Sequence, residues 1–449
     1  MNTLERAPSI WWLHPAYAFA GLGLITALAS YLIPRSTYAL YWNTSKYFGL
    51  EPLLLTLLCI ASFVFGSIIG SIRRVTPNWE REHSLKWQER IPWGPAVFLF
   101  KLSFYLCVAG YVFWAGAAIS RGASIQLLVE AFTGEKGAIQ DIKDTYLVTI
   151  SGVTTLTQFG IATIVLGSLI AAAWGWPMVW RKCAIVLLLA IIRAFLNSER
   201  LAFIELLVPL LVVHLQVIYM TYPRRGCLAR ALLAFAPAIG AIVLLVLFTG
   251  SEYWRSYTFY ADEGFGIFEF GAVRLLGYYV TGLNNGAYLL ERLDLPLAAP
   301  YFTLQFLWQF PYLDHLVKIL FPDIALNSPG YYMELLERGA NPEFNNADGI
   351  LLPLMDYGVV GGALYWLIVG VICGVLYQLL REKSPAGLCL YPVVYVGIIE
   401  APRILYWPAG RVFPAWCLLI ISALIFGRYW RAVGVKHRPS PDQHSATFV

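Results

Sequence analysis

Stretches long enough and apolar enough to cross a bilayer recur along the whole of this 449-residue chain. A helix rises about 1.5 Å per residue and the hydrocarbon layer is roughly 30 Å thick, so about 20 apolar residues make one crossing. Segments near 16–33, 52–72, 93–119, 149–176, 183–196, 201–220, 231–249, 350–380, 386–399 and 412–428 meet or approach that length. The pattern predicts an all-α polytopic membrane protein of ten transmembrane helices, with 1–449 forming one integral membrane domain. The fifth and ninth segments are short, and each runs into a polar, arginine-bearing corner. The first apolar run, Tyr17 to Ile33, lacks a small-residue cleavage site and reads as a retained span.

Composition narrows the function classes. Only 13% of residues are charged and 59% are hydrophobic, whereas a soluble domain carries about a quarter charged residues. Soluble enzymes, disordered scaffolds and nucleic-acid-binding proteins are thereby excluded, and a net charge of +5 is too small to imply a polyanionic partner. The seven cysteines form no CxxC and no Cys/His cluster, so neither a disulfide framework nor a zinc site is expected. No DxD and no His/Glu arrangement at metal spacing occurs, and the expected chemistry uses no metal and no cofactor.

Charge placement gives orientation, because short cytoplasmic loops carry an excess of Lys and Arg. Arg73, Arg74, Arg81, Lys86 and Arg90 share one face with Arg181, Lys182, Arg224, Arg225, Arg230, Arg381, Lys383 and the tail. With an even number of spans both termini are cytoplasmic, and 436–449 reads as a short disordered tail. The opposite face holds 250–349, whose residues Ser251 to Asp348 carry 12 acids against five basic residues. A connection of that length is expected to be folded. Apolar spacing from Phe265 to Leu293 and from Pro329 to Arg338 predicts amphipathic helices lying at the interface. Gly66 and Gly70 form a GxxxG, which suggests close helix packing and nothing about function.

Ionisable groups at the ends of spans point to candidate chemistry. Four arginines fall on the non-cytoplasmic side: Arg193 and Arg200 around the corner RAFLNSER, and Arg403 and Arg411 around EAPRILYWPAGR. Each could snorkel to lipid headgroups. Positive charge is disfavoured on that side, however, and guanidinium forks suit phosphate, so the four together read as a site for a lipid-linked phosphate. Asp348 and Asp356 lie where the long loop re-enters the membrane. Asp348 can simply cap the eighth span, and Asp356 would need a partner such as an outer arginine. His315 is a possible base but is a lone loop histidine, and packing is the default for His214.

Three stretches carry a resemblance: Asn197-Ser-Glu-Arg200-Leu-Ala-Phe-Ile, Leu326-Asn327-Ser328-Pro-Gly-Tyr-Tyr, and Asp356-Tyr-Gly358-Val-Val-Gly361-Gly362. With the corner bearing Arg403 and Arg411, the chain resembles the Wzy-type oligosaccharide repeat-unit polymerases, the family of O-antigen and enterobacterial common antigen polymerases. The resemblance implies a metal-independent glycosyltransferase of GT-C architecture in the bacterial inner membrane. It would work at the periplasmic face on undecaprenyl-diphosphate-linked glycans as donor and acceptor, with a chain-length-regulating copolymerase as a further partner. It assigns diphosphate binding to Arg200, Arg403 and Arg411, to which the spacing argument adds Arg193.

The reaction expected is displacement at an anomeric carbon, with an acceptor-side base. Asp348 and Glu400 are the first candidates, followed by Glu199, Asp356 and His315, although Glu400 also stands within pairing distance of Arg403. Tyr278, Tyr279, Tyr331, Tyr332, Tyr406 and Trp407 suit sugar stacking, though aromatic belts are the commoner use of such residues. An O-antigen ligase of the same superfamily and a lipid-linked oligosaccharide flippase or transporter are the alternatives. Ten spans without heptads argue against a chain-length regulator.

Overall fold

The computed structural model describes residues 10–72, 87–124, 126–127, 129–130, 142–148, 150, 152–196, 201–221, 227–252, 266–293, 300–309, 319 and 329–436. Among these the chain is helical throughout: α1 Pro15–Leu32, α2 Arg35–Trp42, α3 Leu50–Ile72, α4 Trp93–Ser120, α5 Phe159–Trp174, α6 Trp180–Leu196, α7 Leu201–Thr221, α8 Cys227–Ala234 and α9 Ala236–Glu252. Then follow α10 Ile267–Arg292, α11 Gln305–Gln309, α12 Pro329–Gly339, α13 Leu352–Arg381, α14 Pro385–Glu400 and α15 Phe413–Lys436. The one extended pairing among the described residues is an isolated bridge between Asp348 and Ile404.

Each of the ten apolar segments falls on a helix. Six helical stretches are long and apolar enough to cross a membrane: Pro15–Leu32, Leu50–Ile72, Trp93–Ser120, Val153–Trp174, Leu352–Arg381 and Phe413–Ala432. Shorter apolar stretches lie at Leu201–Gln216, Ala236–Gly250 and Pro385–Glu400. The shortness of α14 has a packing reason. Thirteen of its 16 residues are buried, and it lies against α1, α5, α7, α13 and α15. A helix apolar all round belongs inside a bundle, where protein rather than lipid covers every face. In α5 twelve of 16 residues are likewise buried.

The closest helix pair is α3 against α13. A Cβ on Gly66 would overlap the Leu367 carbonyl oxygen, and one on Gly70 that of Val371. From the other side, Gly370 and Gly374 meet the carbonyl oxygens of Phe63 and Ser67. Two small-xxx-small faces thus touch backbone to backbone, which is how helices associate where lipid removes the hydrophobic incentive. Further along, Phe19 stacks on Phe63 at 4.0 Å, and Trp366, fully buried, donates Nε1–H to the Ile350 carbonyl at 2.8 Å.

Helix ends gather in two sets. At one, the chain entering α1 is tied down by Trp12, whose indole donates to the Leu233 carbonyl at 2.9 Å, and by Tyr395, whose hydroxyl donates to the Trp12 carbonyl at 2.7 Å. His14 caps α1 there by accepting from the Ala16 amide at 3.2 Å. At the other end, Lys46 donates to the carbonyls of Tyr31 and Ile33 at 2.6 and 2.7 Å, satisfying orphan acceptors at the C-terminus of α1.

Part of the 250–349 loop is described, and it is folded. Within it α10 spreads over the second set of helix ends. Its Gly271 packs on Thr249 near the end of α9, Gly277 on Trp42, Gly282 on the Pro402 carbonyl and Gly286 on Asp348. Polar side chains fasten it there. Asn284 accepts from the Tyr47 and Phe48 amides at 2.7 and 3.1 Å, and Asn285 donates to the Phe344 and Asn346 carbonyls at 2.7 and 2.8 Å. The sequence pattern predicts an amphipathic helix here. The helix forms, but its polar asparagines turn inward, because irregular backbone on three sides offers them partners that solvent would otherwise supply. The tail at 437–449 lies outside the described residues.

Candidate functional site

The end of the bundle covered by α10 carries two buried arginine–carboxylate clusters. The first joins four helices. Arg193, in the last turn of α6 and 7% exposed, donates to the Thr157 hydroxyl at 2.6 Å. Gln158 caps α5, and hydrogen-bond logic orients its amide with the oxygen accepting from Arg193 and the nitrogen donating to Glu205, both at 3.1 Å. Glu205, one turn into α7 and 1% exposed, receives the Arg411 fork: Nη2 donates to Oε2 at 3.1 Å and Nε lies 3.1 Å from Oε1. The order is therefore Arg193, Gln158, Glu205, Arg411. A small cavity opens beside it, lined by Tyr111, Thr157, Gln158, Arg193 and Glu205 together with apolar side chains of α5, α6 and α7.

Tyr406 closes the inner side. It is fully buried, and its hydroxyl is pushed well above the ordinary phenol range by burial and then by the Glu205 carboxylate. Arg411 is the member open to the surroundings, its side chain 29% exposed against 1% for Glu205. An anion approaching the cluster meets this guanidinium first.

The second cluster sits on the corner after α14. Arg403 donates Nε–H to Glu400 Oε2 at 2.8 Å, and its Nη2 lies 2.7 Å from the same oxygen. Burial works against the Arg403 charge, but Glu400 and then Tyr279 and Tyr278 outweigh it and hold the guanidinium above its ordinary value. Tyr278 packs edge-on against Phe248 and Phe344 at 5.5 and 5.1 Å.

Several expectations need correction. Asp348 is not free to act as a base. Its oxygens accept the amides of Gly349, Ile350 and Leu351 at 2.5, 2.8 and 2.8 Å, so it caps the turn leading into α13. Burial, offset by these three amides, pushes its carboxyl up to about 7. Glu400 is committed to Arg403 rather than open to an acceptor. Asp356 pairs with no arginine. It accepts from the amides of Tyr301, Phe302 and Thr303 at 2.9, 3.1 and 2.7 Å and from the Thr303 hydroxyl at 2.7 Å, pinning part of the long loop to α13.

Tyr406 has no ring face open for a sugar because the core encloses it. Trp407 is wedged on Gly397, its indole donating to the Val394 carbonyl at 3.0 Å. Arg200, Glu199 and His315 lie outside the described residues, as do the side chains of Tyr331 and Tyr332.

The structure thus brings Arg193 and Arg411 together and leaves Arg403 in a separate pair. It adds Glu205 and Gln158, which the sequence reading passed over. Glu205 had a signal: it is the one acid within 201–220, and a carboxylate inside a span is costly unless partnered. Among the described residues no group of three or more His, Cys, Asp and Glu side chains could hold a metal ion.

These features define a multi-pass helical membrane protein with buried, charge-paired arginines gathered at one end of the bundle. Comparison of the chain with protein-family models, with curated proteins and with solved structures finds no match.

Proposed function

We propose that this protein is a metal-independent glycosyltransferase of GT-C type with ten spans. On this reading it polymerises undecaprenyl-diphosphate-linked oligosaccharide repeat units at the periplasmic face of the bacterial inner membrane, with both termini cytoplasmic. The observation that carries the reading is the Arg193, Gln158, Glu205, Arg411 cluster beside a cavity at one end of the bundle.

Two guanidinium groups against one carboxylate leave this cluster with a formal excess of one positive charge, held where the dielectric is low. A diphosphate is the ligand such a surplus favours, since planar forks match phosphate oxygens and the charge that develops on a departing diphosphate is stabilised by fixed cations. A metal ion does this work in many transferases. Here the arginines would do it, and Arg200, in the corner between α6 and α7, would add to the surplus.

The test is reconstitution of the purified protein in vesicles with native lipid-linked repeat units and no lipid A. A ladder of lengthened, lipid-linked chains supports polymerisation. Activity that appears only when lipid A core is supplied indicates a ligase, and translocation without change of product mass indicates a flippase. Either outcome overturns the proposal.

A further inference from the structure

Resting on that reading, we infer that Glu205 is the proton acceptor of the glycosyl transfer, set free for the task when the donor diphosphate takes over Arg411. Four carboxylates are buried among the described residues: Glu205, Asp348, Asp356 and Glu400. Asp348 and Asp356 each receive three backbone amides, which fix both oxygens as acceptors inside the fold. Glu400 is held by Arg403 on the same corner, three residues away. Glu205 alone of the four borders a cavity.

Its partners differ in kind on its two sides. Toward the interior it accepts a neutral amide from Gln158, which orients the carboxylate without taking its charge. Toward the exposed side it meets Arg411, the mobile and more accessible half of the pair. A phosphate dianion competes well for an arginine fork already on offer to a carboxylate. Once Arg411 turns to the phosphate, Glu205 keeps the Gln158 contact and loses its principal counter-charge. Loss of a nearby cation raises a carboxylate's proton affinity, so binding of the donor makes the base.

The step then balances. The acceptor hydroxyl oxygen forms its bond to the anomeric carbon as the bond from that carbon to the diphosphate breaks. The electron pair of the broken bond stays on the diphosphate oxygen beside Arg411, and the hydroxyl proton passes to Glu205. When the undecaprenyl diphosphate leaves, Arg411 returns and Glu205 gives its proton to water. Because the carboxylate lies 3.1 Å from the fork, a phosphate seated in that fork puts the reacting carbon within reach of both groups.

The experiment compares Glu205→Gln with the native protein and with Arg411→Ala. Binding is measured with undecaprenyl diphosphate, and elongation with native lipid-linked repeat units, in the same vesicles. Glu205→Gln is expected to bind undecaprenyl diphosphate at least as tightly as the native protein while elongation falls by about 10²- to 10⁴-fold, the usual worth of a general base. Arg411→Ala is expected to lose binding.

Elongation by Glu205→Gln within tenfold of native overturns the inference and leaves the polymerase reading in place. Joint loss of binding and elongation in Glu205→Gln also overturns it, because Glu205 would then only position Arg411. If the native protein neither binds nor elongates, both fall. Should Glu205→Gln fail to give a monodisperse protein, Glu205→Asp replaces it. That variant keeps the charge but withdraws the carboxylate, and is expected to lower kcat with an unchanged donor KM; an unchanged kcat overturns the inference.

Discussion

Arg193 and Arg411 are 218 positions apart in the chain, the one ending α6 and the other preceding α15, yet a single glutamate and a glutamine link them. Removing one partner of such a buried pair strands the other, at roughly 3–5 kcal/mol. Arg411→Ala is therefore expected both to abolish elongation and to lower thermal stability. Arg411→Lys separates the two effects: the charge opposite Glu205 is kept, but an ammonium cannot make the bidentate contact. Near-native melting with at least a tenfold loss of elongation is the expected outcome, and full activity in Arg411→Lys would remove the case for a fork.

Asp348 makes a different prediction. Its carboxyl titrates near 7 when folded and at the ordinary value of 3.8 when unfolded. The unfolded chain ionises first as pH rises, so the stability this residue contributes is present below about 4 and is lost as pH rises through 7. Asp348→Asn should flatten that part of the melting-temperature profile between pH 4 and 7, read by tryptophan fluorescence in detergent.

At the scale of elements, the backbone contact between α3 and α13 and the break inside α13 hold the strongest constraints. A methyl on Gly66 would overlap the Leu367 carbonyl, whereas one on Gly240 of α9 meets nothing within 4 Å. Gly66→Ala is expected to destabilise by about 1–3 kcal/mol through overpacking. Gly240→Ala should be neutral or stabilising by up to roughly 1 kcal/mol, the helical preference of Ala over Gly. Equal effects in a melting assay would contradict the packing.

Within α13, Gly358 has φ 70° and ψ −179°, backbone that a side chain adopts only with strain. The turn before it, bearing Asp356 and Tyr357, is turned toward Thr303, whose hydroxyl bonds both side chains. Gly358→Ala has open space for its methyl, so its expected cost of about 1–3 kcal/mol is purely conformational.

For the whole molecule the proposal requires the Arg193 end of the bundle to face away from the cytoplasm. Alkaline phosphatase fused within 253–265 should be active, and a fluorescent protein fused after Val449 should fluoresce. The reverse pattern would place the clusters on the cytoplasmic side, away from any periplasmic donor. Formation of a chain ladder belongs to this scale as well, because it requires donor site, acceptor site and membrane anchorage at once.

The all-helical class, the position of every apolar helix and the folding of the long loop were legible in the sequence, because a bilayer rewards about 20 apolar residues in a row and punishes anything else. Arginine at the ends of α6 and α14 was legible for the same reason: charge there is too costly to be casual. Partnership was not. Asp348 and Asp356 read alike as acids near a re-entry point, and only the folded backbone showed three amides converging on each. Glu205 and Arg411 are separated by 206 residues, and no local pattern encodes which helix ends will meet. Hydrophobicity is a property each segment carries alone, while the pairing of buried charges belongs to the space the packed helices enclose.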